Sequence, residues 1–100
     1  MKPGTRTNGP ASLRLSYSAL VGANLRGMLR ELTHLQVSED ARGQGHGSAL
    51  MRDVCAEADQ SRTVLMLTAE SRRLAAWYAR FGFMLIQAEP LLMVRANEPV

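Results

Sequence analysis

The stretch Leu35–Met51, LQVSEDARGQGHGSALM, decides the fold of this chain. Three glycines occupy every second position from 43 to 47, directly after Arg42. Apolar residues then recur at 50, 54 and 58, which is the spacing of a helix that buries one face. Glycine permits sharp turns and lets other groups approach the backbone closely. The sequence therefore predicts a glycine loop over 38–47 that leads into a helix over 48–60.

Six other segments carry the patterns of strands or of a second helix. Alternating apolar and polar residues predict strands over 13–21 and 28–37, and the turn residues 22–27 join them as an antiparallel hairpin. The second helix is predicted to start after the capping residue Ser71. This second helix covers 71–81. A buried strand over 63–68 precedes it, and strands over 83–88 and 91–95 follow it.

The order of these elements indicates the fold class. The order is β-β-α-β-α-β-β, and the strand, helix and strand between 28 and 68 form a βαβ unit with two parallel neighbouring strands. The fold class is α/β (α+β): a mixed, mostly antiparallel sheet with a central parallel βαβ unit and helices packed on it. A single domain is predicted over 12–96, between a flexible leader over 1–11 and a tail over 97–100.

The composition argues against several classes of protein. Apolar residues make up 46% of the 100 positions, as in a folded globular domain. No apolar run is long enough to cross a membrane and no signal peptide is visible, so the predicted location is the cytoplasm. The single cysteine, Cys55, permits no internal disulfide and gives no metal cluster. The net charge of +3 is scattered and aromatic residues are few, so nucleic acid is not the expected partner.

The glycine loop has the properties of a phosphate site. The first amides of a helix lack internal partners and lie at the positive end of the helix dipole. Glycines let an anion approach these amides, and Arg42 adds a positive charge. A nucleotide P-loop requires a lysine after its last glycine, where this chain has Ser48. Because the spacing also differs from the dinucleotide fingerprint G-x-G-x-x-G, the sequence predicts a pyrophosphate site of another kind.

The stretch 35–51 closely resembles the acetyl-coenzyme A (acetyl-CoA) binding motif of the GCN5-related N-acetyltransferases, the GNAT family. Arg42, Gly45 and Gly47 stand at the spacing of that motif. The resemblance implies that loop amides hold the CoA pyrophosphate and that the end of the preceding strand meets the pantetheine arm. The implied donor-binding residues are Leu35, Val37, Arg42, Gly43, Gln44, Gly45, His46, Gly47 and Ser48. The resemblance implies no metal.

A second motif supports the resemblance. The sequence SRRLAAWYARFGF over 71–83 matches the family pattern at Trp77, Tyr78, Gly82 and Phe83. The departures from the pattern are Ser71 and Leu74. The resemblance implies that Tyr78 is the general acid, and a phenol pKa of about 10 lies near that of the thiol it would protonate. The helical spacing alone favours a core aromatic residue at this position.

Glu31 is the predicted general base, at a strand position where several family members keep a glutamate. Alternation along the strand places Glu31 and Val37 on one face, unless a bulge intervenes, and His34 on the other. The pKa of a histidine suits a base, but this placement predicts a structural role for His34. The alternative for Glu31 is an ion pair with Arg30 or Arg14.

The resemblance implies an N-acetyltransferase that moves the acetyl group of acetyl-CoA directly to a primary amine. The amine belongs to a protein lysine, a protein amino terminus or a small molecule. The alternative is a non-catalytic module that binds CoA as a regulatory or interaction ligand. The family usually places two helices between its first two strands, and this chain has no room for them. The acceptor groove is therefore expected to be open or completed by a second copy, and a homodimer through the strand 91–95 is expected.

Overall fold

The computed structural model describes residues 1–17, 29–37 and 43–97. The elements are β1 (Gly4–Asn8), β2 (Ala11–Tyr17), β3 (Leu29–Val37), α1 (His46–Ser61), β4 (Val64–Ala69), α2 (Arg72–Ala79), β5 (Met84–Ala88) and β6 (Leu91–Arg95). The strands form one sheet in the order β1-β2-β3-β4-β6-β5. Strands β3 and β4 pair in parallel and the other neighbours are antiparallel, so the predicted mixed fold class is confirmed. Neither helix is long and apolar enough to span a membrane.

Strand β1 corrects the predicted flexible leader over 1–11. It pairs antiparallel with β2, from Gly4 opposite Leu15 to Asn8 opposite Ala11. The observed order is therefore β-β-β-α-β-α-β-β. The sequence of β1, GTRTN, contains no apolar residue, so alternation could not reveal it. Strand β1 contacts helix α1 through polar side chains. The Arg6 guanidinium donates hydrogen bonds of 2.9 and 3.1 Å to the Glu57 carboxylate on α1.

The core lies between the sheet and its two helices. Strand β2 contributes every second residue to the core, whereas β4 contributes Leu65, Leu67 and Ala69 and also buries Met66 between them. Helix α1 buries the stripe of residues that the sequence predicts, including Cys55, and burial raises the pKa of this thiol. The largest fully buried apolar side chains are Leu13, Leu15, Leu50, Met51, Val54, Leu65 and Leu67. In the described part of the chain, no helix covers the opposite face of the sheet. This face, the open face, carries the side chains of Ser12, Arg14 and Ser16 of β2.

A buried ion pair connects the far end of the sheet to helix α1. Arg95 on β6 is 6% exposed, and its guanidinium donates hydrogen bonds of 2.8 and 3.0 Å to the Asp59 carboxylate. Its Nε donates a 2.7 Å hydrogen bond to the carbonyl of Phe81, after α2. The ion pair and these hydrogen bonds offset the cost of burying the charge, so Arg95 connects three elements.

The sheet edge differs from the one expected for a dimer. The predicted edge strand over 91–95 is β6, and it lies between β4 and β5. The predicted pairing of β6 with a second copy of itself is therefore wrong, because β4 and β5 already pair with its two edges. The free edge at this end is β5, where the side chains of Met84, Leu85 and Ile86 are exposed.

Candidate functional site

A cleft opens where the two parallel strands separate. Strands β3 and β4 pair only from Leu29 opposite Val64 to Glu31 opposite Met66. Beyond these pairs the strands diverge, and helix α2 contributes to the cavity of about 150 Å³ between them, called the strand cleft. The residues that line the strand cleft are Leu32, Thr33, His34, Leu35, Leu67, Thr68, Glu70, Leu74 and Tyr78.

A bulge in β3 determines which side chains face this cleft. The register with β2 shifts by one residue around His34, whose φ of 57° is left-handed. Before the bulge, Glu31 lies opposite Ser16, on the open face. After it, Leu35 and Val37 pack against the core on the helix side. The prediction that Glu31 and Val37 share one face of the sheet is therefore wrong. The bulge lies between them and reverses the alternation of side chains.

The glycine loop ends in a helix start whose amides no side chain caps. Helix α1 begins at His46, two residues before the predicted start, and its N-cap is Gly45 with φ 83°. Such a φ strongly favours glycine. A Cβ added at Gly43 or Gly45 would meet no atom within 4 Å, so the space above these residues is open. The helix-start amides therefore fit the pyrophosphate predicted for this position.

The cavity beside this helix start, called the cradle cavity, has a volume of about 380 Å³. It is lined by Val37, Gly43, Gly45, His46, Gly47, Ser48 and Trp77. Gln44 is exposed, and its Oε1 lies 3.4 Å from Nε2 of His46. Arg42 and the rest of the loop over 38–42 lie outside the described residues. Six of the nine predicted donor-binding residues thus line one cavity.

An apolar channel of about 620 Å³ connects the cradle cavity to the strand cleft. It is lined by Leu35, Gln36, Val37, Gly47, Arg73, Leu74 and Trp77. Val37, Gly47 and Trp77 are shared with the cradle cavity, and Leu35 and Leu74 are shared with the strand cleft. Because neighbouring cavities share lining residues, the three cavities adjoin one another from the helix start to Tyr78.

Tyr78 lies at the strand-cleft end of this path. Helix α2 positions it, and the Ser71 hydroxyl caps that helix by accepting a 3.1 Å hydrogen bond from the Leu74 amide. The ring packs edge-on against Trp77 and Phe83, with centroids 5.2 and 5.8 Å away. Burial, and then the negative charge of Glu70, raise the pKa of Tyr78 above its ordinary value. The phenol is therefore protonated at neutral pH and can donate its proton.

The structure brings Tyr78, His34 and Glu70 together and leaves Glu31 outside the strand cleft. Glu70 is absent from the predicted site, although it directly follows a buried strand of the parallel pair. Residues at the carboxyl ends of parallel strands commonly form ligand-binding sites. The position of Glu70 directly after β4 therefore indicates a candidate site residue from the sequence alone. The role of His34 could not be predicted, since it depends on the bulge.

Comparisons with known proteins identify the family. The family described as "Acetyltransferase (GNAT) domain" matches residues 13–85. The chain therefore belongs to the GNAT acetyltransferase family. A search of curated protein sequences gives no significant match.

Three solved structures illustrate the similarity of fold. The GNAT family N-acetyltransferase YhbS of Escherichia coli, in complex with CoA, is 21% identical with a TM-score of 0.70, and the match covers 86% of this chain and 51% of that one. An acyl-CoA N-acyltransferase of Pseudomonas aeruginosa is 30% identical, with coverage of 86% and 59% and a TM-score of 0.66. The anti-CRISPR protein AcrVA5 is 15% identical, with coverage of 96% and 100% and a TM-score of 0.71. This chain spans about half the length of the first of these.

Proposed function

We propose that this protein is an acetyl-CoA-dependent N-acetyltransferase that acts on a primary amine. The observation that carries the proposal is the path of three adjoining cavities from the helix-start amides to Tyr78. A linear ligand with a pyrophosphate at one end and a thioester at the other has the shape of this path. Membership of the GNAT family supports the same reaction class.

The donor is proposed to bind along the glycine loop and the end of β3. The amides of residues 43–48 would hold the pyrophosphate, with Arg42 as an additional positive charge. Leu35 and Val37 would contact the pantetheine arm along the apolar channel. This arrangement directs the thioester toward the strand cleft and Tyr78.

The proposed reaction is a direct transfer. The amine nitrogen attacks the thioester carbonyl carbon, a C–N bond forms, and the C–S bond breaks. Tyr78 gives its phenol proton to the departing sulfur, a role that its raised pKa supports. The amine must first lose a proton, because an alkylammonium has a pKa of about 10.4 and is not a nucleophile.

Glu31 is the proposed base, and it would act through water from the open face. Neither an ion pair nor a side-chain hydrogen bond occupies Glu31 in the described part of the chain, so its carboxylate is available. His34 and Glu70 line the strand cleft directly and are the competing bases. Comparison of Glu31→Gln, Glu70→Gln and His34→Asn at several pH values identifies the residue that deprotonates the amine.

The test combines CoA binding with thiol release. The wild-type protein is expected to bind CoA and to release free thiol from acetyl-CoA when an amine is present. Gly45→Val is expected to abolish CoA binding, since its side chain would occupy the space above the helix start. Because Gly45 has a left-handed φ, Gly45→Asn is the companion variant, as asparagine tolerates this conformation.

Two results separate this proposal from its alternative. Unchanged CoA affinity in both variants, with melting curves like the wild type, contradicts the cradle. CoA binding without thiol release, tested with small amines and a lysine peptide, favours the non-catalytic CoA-binding module.

A homodimer is proposed through β5 in place of β6. Among the strands of the described ranges, β5 has a hydrogen-bonded partner on one side only, and its sequence, MLIQA, carries no charge to discourage pairing with a copy. Antiparallel pairing of two copies would form a closed twofold interface.

A further inference from the structure

A polar groove lies on the open face, beside the strand cleft. Its volume is about 220 Å³, and it is lined by Thr5, Ser12, Leu13, Arg14, His34 and Gln36. Thr5 lies opposite Arg14, and Ser12 opposite Gln36, so these four side chains point to the same side of the sheet. His34 lines both this groove and the strand cleft that contains Tyr78. A molecule in the groove is therefore adjacent to the proposed reacting end of acetyl-CoA.

The groove offers hydrogen-bonding groups and one permanent charge. Two hydroxyls and a carboxamide come from Thr5, Ser12 and Gln36, and the permanent charge is the guanidinium of Arg14. Arg14 is exposed, and in the described part of the chain its guanidinium makes neither an ion pair nor a side-chain hydrogen bond. A guanidinium in this state presents a fork of donors that matches a carboxylate.

Glu31 supplies a carboxylate on the same face of the sheet as Arg14. Arg14 is opposite Thr33, and Glu31 is opposite Ser16, so Arg14 and Glu31 are diagonal neighbours. Diagonal neighbours on adjacent strands are about 7–8 Å apart. The open face thus presents one positive and one negative group side by side. This pair is complementary to a small molecule that carries both an ammonium and a carboxylate.

We propose that the acetyl acceptor is a small amino acid whose carboxylate binds Arg14 in this groove. The amine then extends past His34, which lines both the groove and the strand cleft. The volume of the groove fits a molecule of this size, and its charge selects against diamines. The inference rests on the proposed acetyltransferase function and adds the class of acceptor.

The experiment compares acceptors that differ only in charge. Glycine, β-alanine and 4-aminobutanoate are each compared with the alkylamine of equal chain length and with a diamine, and a lysine peptide is included. Thiol release from acetyl-CoA gives kcat/KM for each acceptor. The best amino acid is expected to exceed its alkylamine by about tenfold to a hundredfold, the range of one charge-assisted hydrogen bond.

Variants at Arg14 then test the residue itself. Arg14→Gln is expected to remove the preference for the amino acid while the KM for acetyl-CoA stays unchanged. Arg14→Glu is expected to favour the diamine, and Arg14→Lys to retain part of the original preference. Arg52→Gln is the matched control, because Arg52 is an exposed arginine on α1 that lines a different cavity.

Each outcome has a definite meaning. Equal kcat/KM for amino acid and alkylamine, faster acetylation of the lysine peptide or a diamine, or a preserved preference in Arg14→Gln overturns the inference and leaves the acetyltransferase function standing. The absence of thiol release with every acceptor overturns both.

Discussion

The backbone of His34 determines how the site is arranged. Left-handed φ values are uncommon for residues other than glycine and cost about 1–3 kcal/mol, so they persist only where the surrounding structure enforces them. Here the pairing of β3 with β2 on both sides of the bulge holds the residue in place. The bulge turns Leu35 and Val37 toward the helices and leaves Glu31 on the open face. One residue thus separates the strand segment with Glu31 on the open face from the segment proposed to contact acetyl-CoA.

The variant Tyr78→Phe tests whether Tyr78 is the general acid. The change is expected to lower kcat by about 10²- to 10⁴-fold, the usual contribution of a general acid, while CoA affinity is unchanged. The control is Tyr17→Phe, since Tyr17 is exposed and does not line the strand cleft. Equal losses of kcat and CoA affinity in Tyr78→Phe would indicate a packing role instead.

The same residue has a pH signature. Glu70 helps to keep the Tyr78 proton in place, so Glu70→Gln is expected to lower the pKa of Tyr78. The loss of activity at alkaline pH should then begin at lower pH than in the wild type. Tyrosinate absorbance in a Tyr17→Phe background follows Tyr78 alone, because the chain has two tyrosines. An unchanged or higher pKa contradicts the assigned influence of Glu70.

The elements are held in place by polar links as well as by the core. Arg6 joins β1 to α1, and Arg95 joins β6 to the same helix. The two links differ in burial, since the side chains of Arg95 and Asp59 are 7% and 22% exposed, against 23% and 41% for Arg6 and Glu57. Removal of one partner from a buried pair leaves a charge without compensation, whereas an exposed pair contributes little.

Arg95→Met is therefore expected to destabilise the protein by about 3 kcal/mol, because it removes the guanidinium that binds the partly buried Asp59 carboxylate through two hydrogen bonds. Arg6→Met is the matched control and is expected to cost less than about 1 kcal/mol. Urea denaturation measures both free energies of unfolding. The double change Arg95→Met with Asp59→Leu should recover much of the loss. A double variant as unstable as the sum of its parts would argue against the ion pair as the cause.

At the scale of the whole molecule, the two edges of the sheet differ in chemistry. The β1 edge carries polar side chains, as its sequence GTRTN shows. The β5 edge exposes three consecutive apolar side chains, of which Met84 is 71% exposed and Ile86 60%. A charged side chain discourages pairing of an edge strand with a copy, and Arg6 places such a charge in β1 whereas β5 has none.

Sedimentation equilibrium tests the proposed β5 dimer. The wild type is expected to associate with rising concentration, and Ile86→Lys is expected to remain monomeric because it places a charge in the pairing edge. Thr7→Lys, on the opposite edge, is the control and should behave like the wild type. A wild type that stays monomeric over the whole range, or an Ile86→Lys variant that still dimerises, argues against this interface.

Features that depend on neighbouring residues in the sequence are predicted more accurately than features that depend on residues far apart in the sequence. The capping of α2 by Ser71 and the helix after Gly45 involve neighbours along the chain, and both were predicted to within two residues. Strand β1 lacks an apolar pattern because its inward side chain, Arg6, is balanced by Glu57, 51 residues away. Such a partner leaves no local signal.

The sequence by itself determined the βαβ unit, the glycine-rich helix start and the helix that carries Tyr78. These features follow from backbone conformation and residue spacing within a few turns. Tertiary structure alone decided the bulge at His34, the edge position of β5, and the placement of Arg14 and Glu31 as diagonal neighbours on the open face. Strand register and strand order arise from hydrogen bonds between distant segments, and a one-residue shift moves every following side chain to the other face.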